Sequence, residues 1–110
     1  MHVAVHTDNH ISGTESLIAR VASEVETVLA PHDARLTLVE VHLADESAGR
    51  ETPHDMRCVV EAVLAGQPVA VATEHAETLD EAVSGAAHKL VNVLESRFGR
   101  LSGQTARRHA

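Results

Sequence analysis

Hydrophobic and polar residues alternate along four short stretches of the chain, a pattern typical of β-strands with one buried face. The stretches are residues 2–6, 36–43, 56–64 and 68–74. The residues predicted to face inward are Val3 and Val5, then Val39, Val41 and Leu43, and then Cys58, Val60, Ala62 and Leu64. In the fourth stretch, which begins at Pro68, either the valines or the alanines could face inward.

Two longer stretches instead repeat their apolar residues at helical spacing. Ser12 and Glu15 have the spacing of a capping box, which predicts that the first helix begins there, and Pro31 predicts its end. Thr78 and Glu81 repeat that spacing before the second helix. The apolar stripes are Leu17, Ile18, Val21, Ala22, Val25, Val28 and Leu29, and then Leu79, Val83, Ala86, Leu90, Leu94 and Leu101.

The order of these elements, β-α-β-β-β-α, predicts an α+β fold of two layers. A crossover through the first helix makes the first two strands parallel, and hairpins extend the sheet, giving a four-stranded mixed sheet with both helices on one face. The other face is then open and carries Glu40, His42, Arg57 and Glu61. We expect a polar hairpin loop over residues 45–55, a single domain over residues 1–101 and a disordered basic tail over residues 102–110.

Composition limits the classes of protein that the chain can belong to. With 110 residues and 44% hydrophobic residues, the chain suits one domain, but Phe98 is its only aromatic residue, so Val, Leu and Ala must build the core. No apolar run approaches the roughly 20 residues that span a bilayer. The start lacks the long apolar run of a signal peptide, and Cys58 is a single cysteine, so we expect a cytoplasmic protein with no membrane partner.

Charge is distributed unevenly between the body of the chain and its end. The formal net charge is −7, which argues against DNA or indiscriminate nucleic-acid binding by the whole surface. Residues 1–96 carry a charge of −11, whereas residues 97–110 carry four arginines and no acid. Helical spacing also places Lys89 and Arg100 within about 20° of each other on the second helix. An anionic partner would therefore meet the protein at this helix.

The residues that could support catalysis or bind a metal form no diagnostic motif. Nine histidines are present, and His2 and His6 share one side of the first strand, but no HExxH or paired-cysteine motif accompanies them. We interpret the histidines as solvated or locally bonded, with a metal site as a minor alternative that zinc calorimetry would test. Cys58 is predicted to be an inert packing residue. We therefore expect no enzymatic activity, no cofactor and no metal.

Particular residues, together with the order of strands and helices, resemble the short ribosome hibernation promoting factors (the HPF/RaiA, or sigma-54 modulation, family). The start HVAVHTDNHISG resembles the family's first strand and helix cap, with Thr7 and Asn9 at matching places. The stretch ETLDEAVSGAAHKLVNVLESRFGRL resembles its last helix. The matching residues there are Leu79, Ala82, Val83, Gly85, Lys89, Leu90 and Leu94.

This resemblance implies a sandwich like that of double-stranded-RNA-binding domains, docked on the rRNA of the small ribosomal subunit in the channel for messenger and transfer RNA. Such a protein inhibits translation in resting cells by steric occupancy, without catalysis. The RNA-binding residues that it implies are Arg20, Lys89, Arg97, Arg100, Arg107 and Arg108.

The first helix departs from the family pattern. Arg20 is its only base, Glu24 one turn later could partly neutralise that base, and Asn92 stands where the family often has another base. The alternative is therefore a divergent member that acts as an acidic protein-interaction module, or as a weak homodimer through the sheet face or an edge strand.

Overall fold

Four strands and two long helices follow one another in the predicted order. The computed structural model describes residues 1–47 and 55–108, with side chains described as far as residue 99. The elements are β1 (His2–Thr7), α1 (Glu15–Leu29), β2 (Leu36–Asp45), β3 (Met56–Leu64), β4 (Ala70–Ala76) and α2 (Leu79–Arg108). A 3-10 segment, Ala30–Arg35, connects α1 to β2, because Pro31 prevents the α-helix from continuing.

The strands lie side by side in the order of the sequence. β1 pairs with β2 in parallel, and β3 pairs antiparallel with both β2 and β4. The register places His6 opposite His42 and Glu40 opposite Glu61. The predicted mixed sheet is confirmed, and β1 and β4 form its two edges.

One hydrophobic core fills the space between the sheet and the two helices, which pack on the same sheet face. The inward-facing residues predicted for β2 and β3 are buried. Small side chains dominate this core, as the composition requires, and its largest fully buried members are Leu29, Leu90 and Leu94. The opposite face of the sheet is open, as predicted, and Glu40, His42, Arg57 and Glu61 lie on it with partial or full exposure.

The prediction that Ser12 caps α1 is wrong. The N-cap is Thr14, whose Oγ1 accepts a hydrogen bond from the Leu17 backbone N–H at 3.1 Å. The residues before it form a turn, since the Asp8 carboxylate accepts from the His10 backbone N–H. Gly13 lies so close to Thr7 that a Cβ at position 13 would be 2.7 Å from the threonine Oγ1. The helix can begin only after this turn.

The inward side of β4, which the sequence left open, is the alanine side. Ala70 and Ala72 are buried at 1% and 7% exposure, whereas Val69 and Val71 are each 49% exposed. The α2 helix packs directly over β4, so only small side chains fit between the two elements.

The second helix is longer than predicted. It continues to Arg108, so the backbone of residues 102–108 is helical where the sequence predicted disorder. Gly99 and Gly103 do not end the helix because, among the described glycines, only Gly66 takes a positive φ. Residues 109 and 110, like residues 48–54 of the predicted hairpin loop, lie outside the described residues, and the domain extent of 1–101 remains a prediction.

The described residues contain no helix that is both long and apolar enough to cross a bilayer.

Candidate nucleic-acid interface

The helix α2 carries most of the predicted cations, and its local structure explains how they are positioned. Thr78 caps it, since its Oγ1 accepts from the Glu81 backbone N–H at 3.2 Å. Val83, Leu90 and Leu94 anchor one side of the helix in the core at 0% exposure. The residues between these positions that are not buried therefore point along the flanks of α2 or into solvent.

Lys89 lies on the flank of α2 that faces the edge strand β4. Its Nζ donates to the Thr73 backbone carbonyl at 3.2 Å and to Glu74 Oε1 at 3.3 Å. The Lys89 side chain is 54% exposed. Glu74 reaches this position over Gly85, where a Cβ would be 2.7 Å from the glutamate Cγ. The lysine is therefore accessible to an anion, but a carboxylate already partners it.

Arg97 lies about two turns further along α2, and its side chain also points toward β4. Its guanidinium donates to the backbone carbonyl of Pro68, just before β4. The eight-residue separation from Lys89 corresponds to about 12 Å along the helix. Lys89 and Arg97 thus form a row of two cations along the seam between α2 and β4, which we call the α2–β4 seam.

The structure does not bring Arg20 to this row. Its guanidinium pairs with the Asp80 carboxylate at 3.3 Å, in the first turn of α2, and both side chains are more than half exposed. The predicted pairing of Arg20 with Glu24 is replaced by this contact between the two helices. Asp80 lies nine residues before Lys89, about 13 Å away along the helix.

The remaining predicted cations are Arg100, Arg107 and Arg108. Their backbone belongs to α2, but their side chains lie outside the described residues.

Sequence reasoning missed Arg35, an exposed cation at the same end of the molecule as Arg97. Arg35 ends the 3-10 segment, and its guanidinium carbon lies 4.1 Å from the centre of the Phe98 ring. Arg35 and Phe98 also line a shallow depression of about 310 Å³ beside the β3–β4 turn. The segment after Pro31 has no helical or strand periodicity, so no local pattern in the sequence identifies this arginine.

The open face of the sheet differs chemically from the helix side. Glu40 and Glu61 are neighbours across β2 and β3, and the Arg57 guanidinium lies 3.5 Å from Glu46. This face carries no Phe, Tyr or Trp side chain, because Phe98 is the only such residue of the chain and packs beside Arg35. Its carboxylates would repel RNA phosphates, and its one arginine among the described residues is already paired with Glu46.

Cys58 is fully buried on the inward side of β3, as predicted. Burial, assisted by the charge of Glu24, raises the pKa of its thiol from 9.0 to about 12. The side chain is therefore a protonated packing group at neutral pH.

Comparisons with known proteins identify a family and similar structures for this chain. Residues 4–102 match the family described as sigma 54 modulation protein / S30EA ribosomal protein. No curated protein matches the chain significantly.

Two solved structures are similar to this chain over nearly its whole length. A ribosomal subunit interface protein from Coxiella burnetii has a TM-score of 0.74 at 12% identity, covering 90% of this chain and 99% of that one. The N-terminal domain of Thermus thermophilus Protein Y has a TM-score of 0.63 at 22% identity, covering 89% and 99%. At these identities the two structures establish the fold, while the match over residues 4–102 establishes the family. The chain belongs to the sigma 54 modulation protein / S30EA ribosomal protein family.

Proposed function

We propose that this protein associates with the small ribosomal subunit in the cytoplasm and inhibits translation by occupying the channel for messenger and transfer RNA. Family membership over residues 4–102 supports a role at the ribosome. The similar Coxiella burnetii structure, a ribosomal subunit interface protein, supports the same role. The mechanism is steric: a bound domain excludes RNA, and no bond is made or broken.

The observation that carries this proposal is the position of Lys89 and Arg97 on one flank of α2. Both side chains contact backbone carbonyls at or beside the edge strand β4, and both remain accessible from solvent. The carboxylates Glu40 and Glu61 lie on the opposite side of the sheet and would repel phosphates. RNA would therefore dock against the helices and the α2–β4 seam.

The long helix extends the proposed contact surface. Positions 89, 100 and 107 fall within about 20° of one another around a continuous α-helix, so they form one line along it. The described backbone is helical through all three positions. Arg35 adds a further cation near Arg97, at the same end of the molecule.

Arg20 contributes less in this arrangement. It lies at the other end of α2 and is paired with Asp80, so rRNA would have to displace a carboxylate to bind it. An exposed pair of this kind is worth about 0.2–1 kcal/mol.

The test is charge reversal on the proposed RNA-binding flank. The double variant Lys89→Glu, Arg100→Glu should bind small subunits more weakly. The slope of log affinity against log salt should fall in magnitude by about 1.4–1.8, since two phosphate contacts are lost. Arg57→Glu, on the open sheet face, is the control for charge reversal away from the helices and should leave the slope unchanged. An unaltered slope in the double variant would show that this flank does not meet RNA.

A second candidate function is self-association, which the two exposed valines favour. Val71 lies on the edge strand β4 and Val69 lies just before it. They are the exposed large hydrophobic residues among those described. Light scattering across a concentration series should then detect a dimer that Val71→Lys abolishes. A monomer at every concentration contradicts this candidate.

A further inference from the structure

The open face of the sheet carries a compact group of two histidines and two glutamates that the proposed ribosomal role does not use. His6 and His42 are neighbours on β1 and β2, and their rings stack with centroids 4.9 Å apart at 17°. Glu40 and Glu61 are neighbours on β2 and β3. Each histidine approaches one glutamate, because His6 Nε2 lies 3.7 Å from Glu40 Oε1 and His42 Nε2 lies 3.7 Å from Glu61 Oε1.

These distances suit a metal ion placed between the side chains. One ligand atom each from Glu40, His42 and Glu61 can be chosen so that all lie within 4.8 Å of one another. Zinc binds nitrogen and oxygen ligands at about 2.0–2.2 Å, so tetrahedral ligand atoms are roughly 3.3 Å apart. The 3.7 Å separations within each histidine–glutamate pair are close to this value. Small rotations of these exposed side chains would bring their ligand atoms to the separation that zinc requires.

The electrostatics of the face also favour a bound cation. Like charges placed directly opposite each other on paired strands destabilise a sheet, and Glu40 and Glu61 are such a pair. Two carboxylates and two neutral imidazoles have a formal charge of −2, which one divalent ion balances. Paired imidazoles select a transition ion over calcium or magnesium, which prefer oxygen ligands alone.

The surroundings leave room for the ion to enter. His6, His42 and Glu61 line an open depression of about 410 Å³ on this face, and their side chains are 39–51% exposed. Arg57 lines the same depression, but its guanidinium pairs with Glu46.

A second group on the same face, Glu46, Asp55 and His75, also places ligand atoms within 4.8 Å of one another. The Arg57 guanidinium lies 3.5 Å from Glu46 and opposes a second cation there. This group therefore serves as the internal comparison for the first.

We propose that His6, Glu40, His42 and Glu61 form a binding site for a divalent transition-metal ion, with zinc as its probe, on the open face of the sheet. The site is independent of the proposed ribosomal role, since it lies on the face opposite the helices.

The test is zinc titration of the full chain by calorimetry. The wild-type protein should bind one zinc ion per chain at this site. His42→Ala and Glu61→Gln should each weaken zinc binding at least about 10-fold, since even outer partners of metal ligands typically contribute that much. His75→Ala, in the second group, is the matched control and should bind zinc like the wild type.

Cobalt absorption in the visible range provides a second readout, because tetrahedral cobalt bands should appear in the wild type and vanish in His42→Ala. Circular dichroism should show that the variants keep their fold, as expected for substitutions of partly exposed residues. Absence of saturable zinc binding overturns the proposal. Loss of binding in His75→Ala with retention in His42→Ala overturns it as well.

Discussion

Glu74 is expected to restrain the affinity of the protein for RNA, because it occupies the lysine that would otherwise contact a phosphate. Its Oε1 lies 3.3 Å from Lys89 Nζ, and Lys89 is 54% exposed. Glu74→Gln removes the charge but keeps the size of the side chain and its acceptor for the His75 backbone N–H. The packing against Gly85 should also be retained. This variant should therefore bind small subunits more tightly than the wild type.

The size of the effect follows from the geometry of the pair. Two unit charges 3.3 Å apart attract by about 1.3 kcal/mol in water, and measured values for exposed pairs are about 0.2–1 kcal/mol. Releasing Lys89 from this pair corresponds to a gain of about 1.4-fold to 5-fold in affinity. A freed lysine that binds a phosphate also steepens the salt dependence by about 0.7–0.9 in slope.

The assay is equilibrium binding to isolated small subunits at several salt concentrations. Glu26→Gln on α1 makes the same change in net charge away from Lys89 and should have a smaller effect. In a Lys89→Gln background, Glu74→Gln should lose its advantage over that control. If Glu74→Gln binds no more tightly than the wild type, or if its gain persists without Lys89, the assignment of Lys89 to the RNA contact is wrong.

Three further predictions concern stability and reactivity. Leu90→Ala should lower the free energy of unfolding in urea by about 2–5 kcal/mol, whereas the exposed Val71→Ala should change it little. Thr78→Ala should lower it by about 1 kcal/mol through the lost cap, and Thr78→Ser should restore most of that loss. Because burial raises the pKa of Cys58 from 9.0 to about 12, its neutral thiol should resist alkylation at pH 8 while the chain is folded. The free energy of unfolding should decline as the pH rises from 9 to 12, because the unfolded chain then loses the thiol proton while the folded chain keeps it. Rapid alkylation without unfolding would contradict the assignment of Cys58 as a buried, protonated side chain.

Local patterns predicted most of the fold because each strand has one buried face and each helix one apolar stripe. Val39 and Val41 alternate with polar residues, and the structure buries both. Local patterns failed where tertiary contacts decide. Ser12 and Thr14 are both acceptable caps, and a turn held by Asp8 selects Thr14. Valine and alanine are both acceptable inward residues in β4, and close packing of α2 selects the alanines.

The candidate sites were predictable only in part, since partners that are distant in sequence shape them. Helical spacing located Lys89, but its pairing with Glu74 joins residues 15 positions apart. Alternation placed His6 and His42 each on the polar side of a strand, but only the strand register puts the two rings together.

The most direct test of the central claim is the affinity of the wild-type protein for isolated small ribosomal subunits at about 50 mM and about 200 mM salt, with large subunits as the control. We predict binding to small subunits at low salt that weakens about 40-fold if three cations contact phosphates, and about 10³-fold if six do. Absence of binding to small subunits at low salt would contradict the proposed role at the ribosome. Equal affinity for large subunits, or an affinity that does not change with salt, would contradict specific docking through the cations of α2.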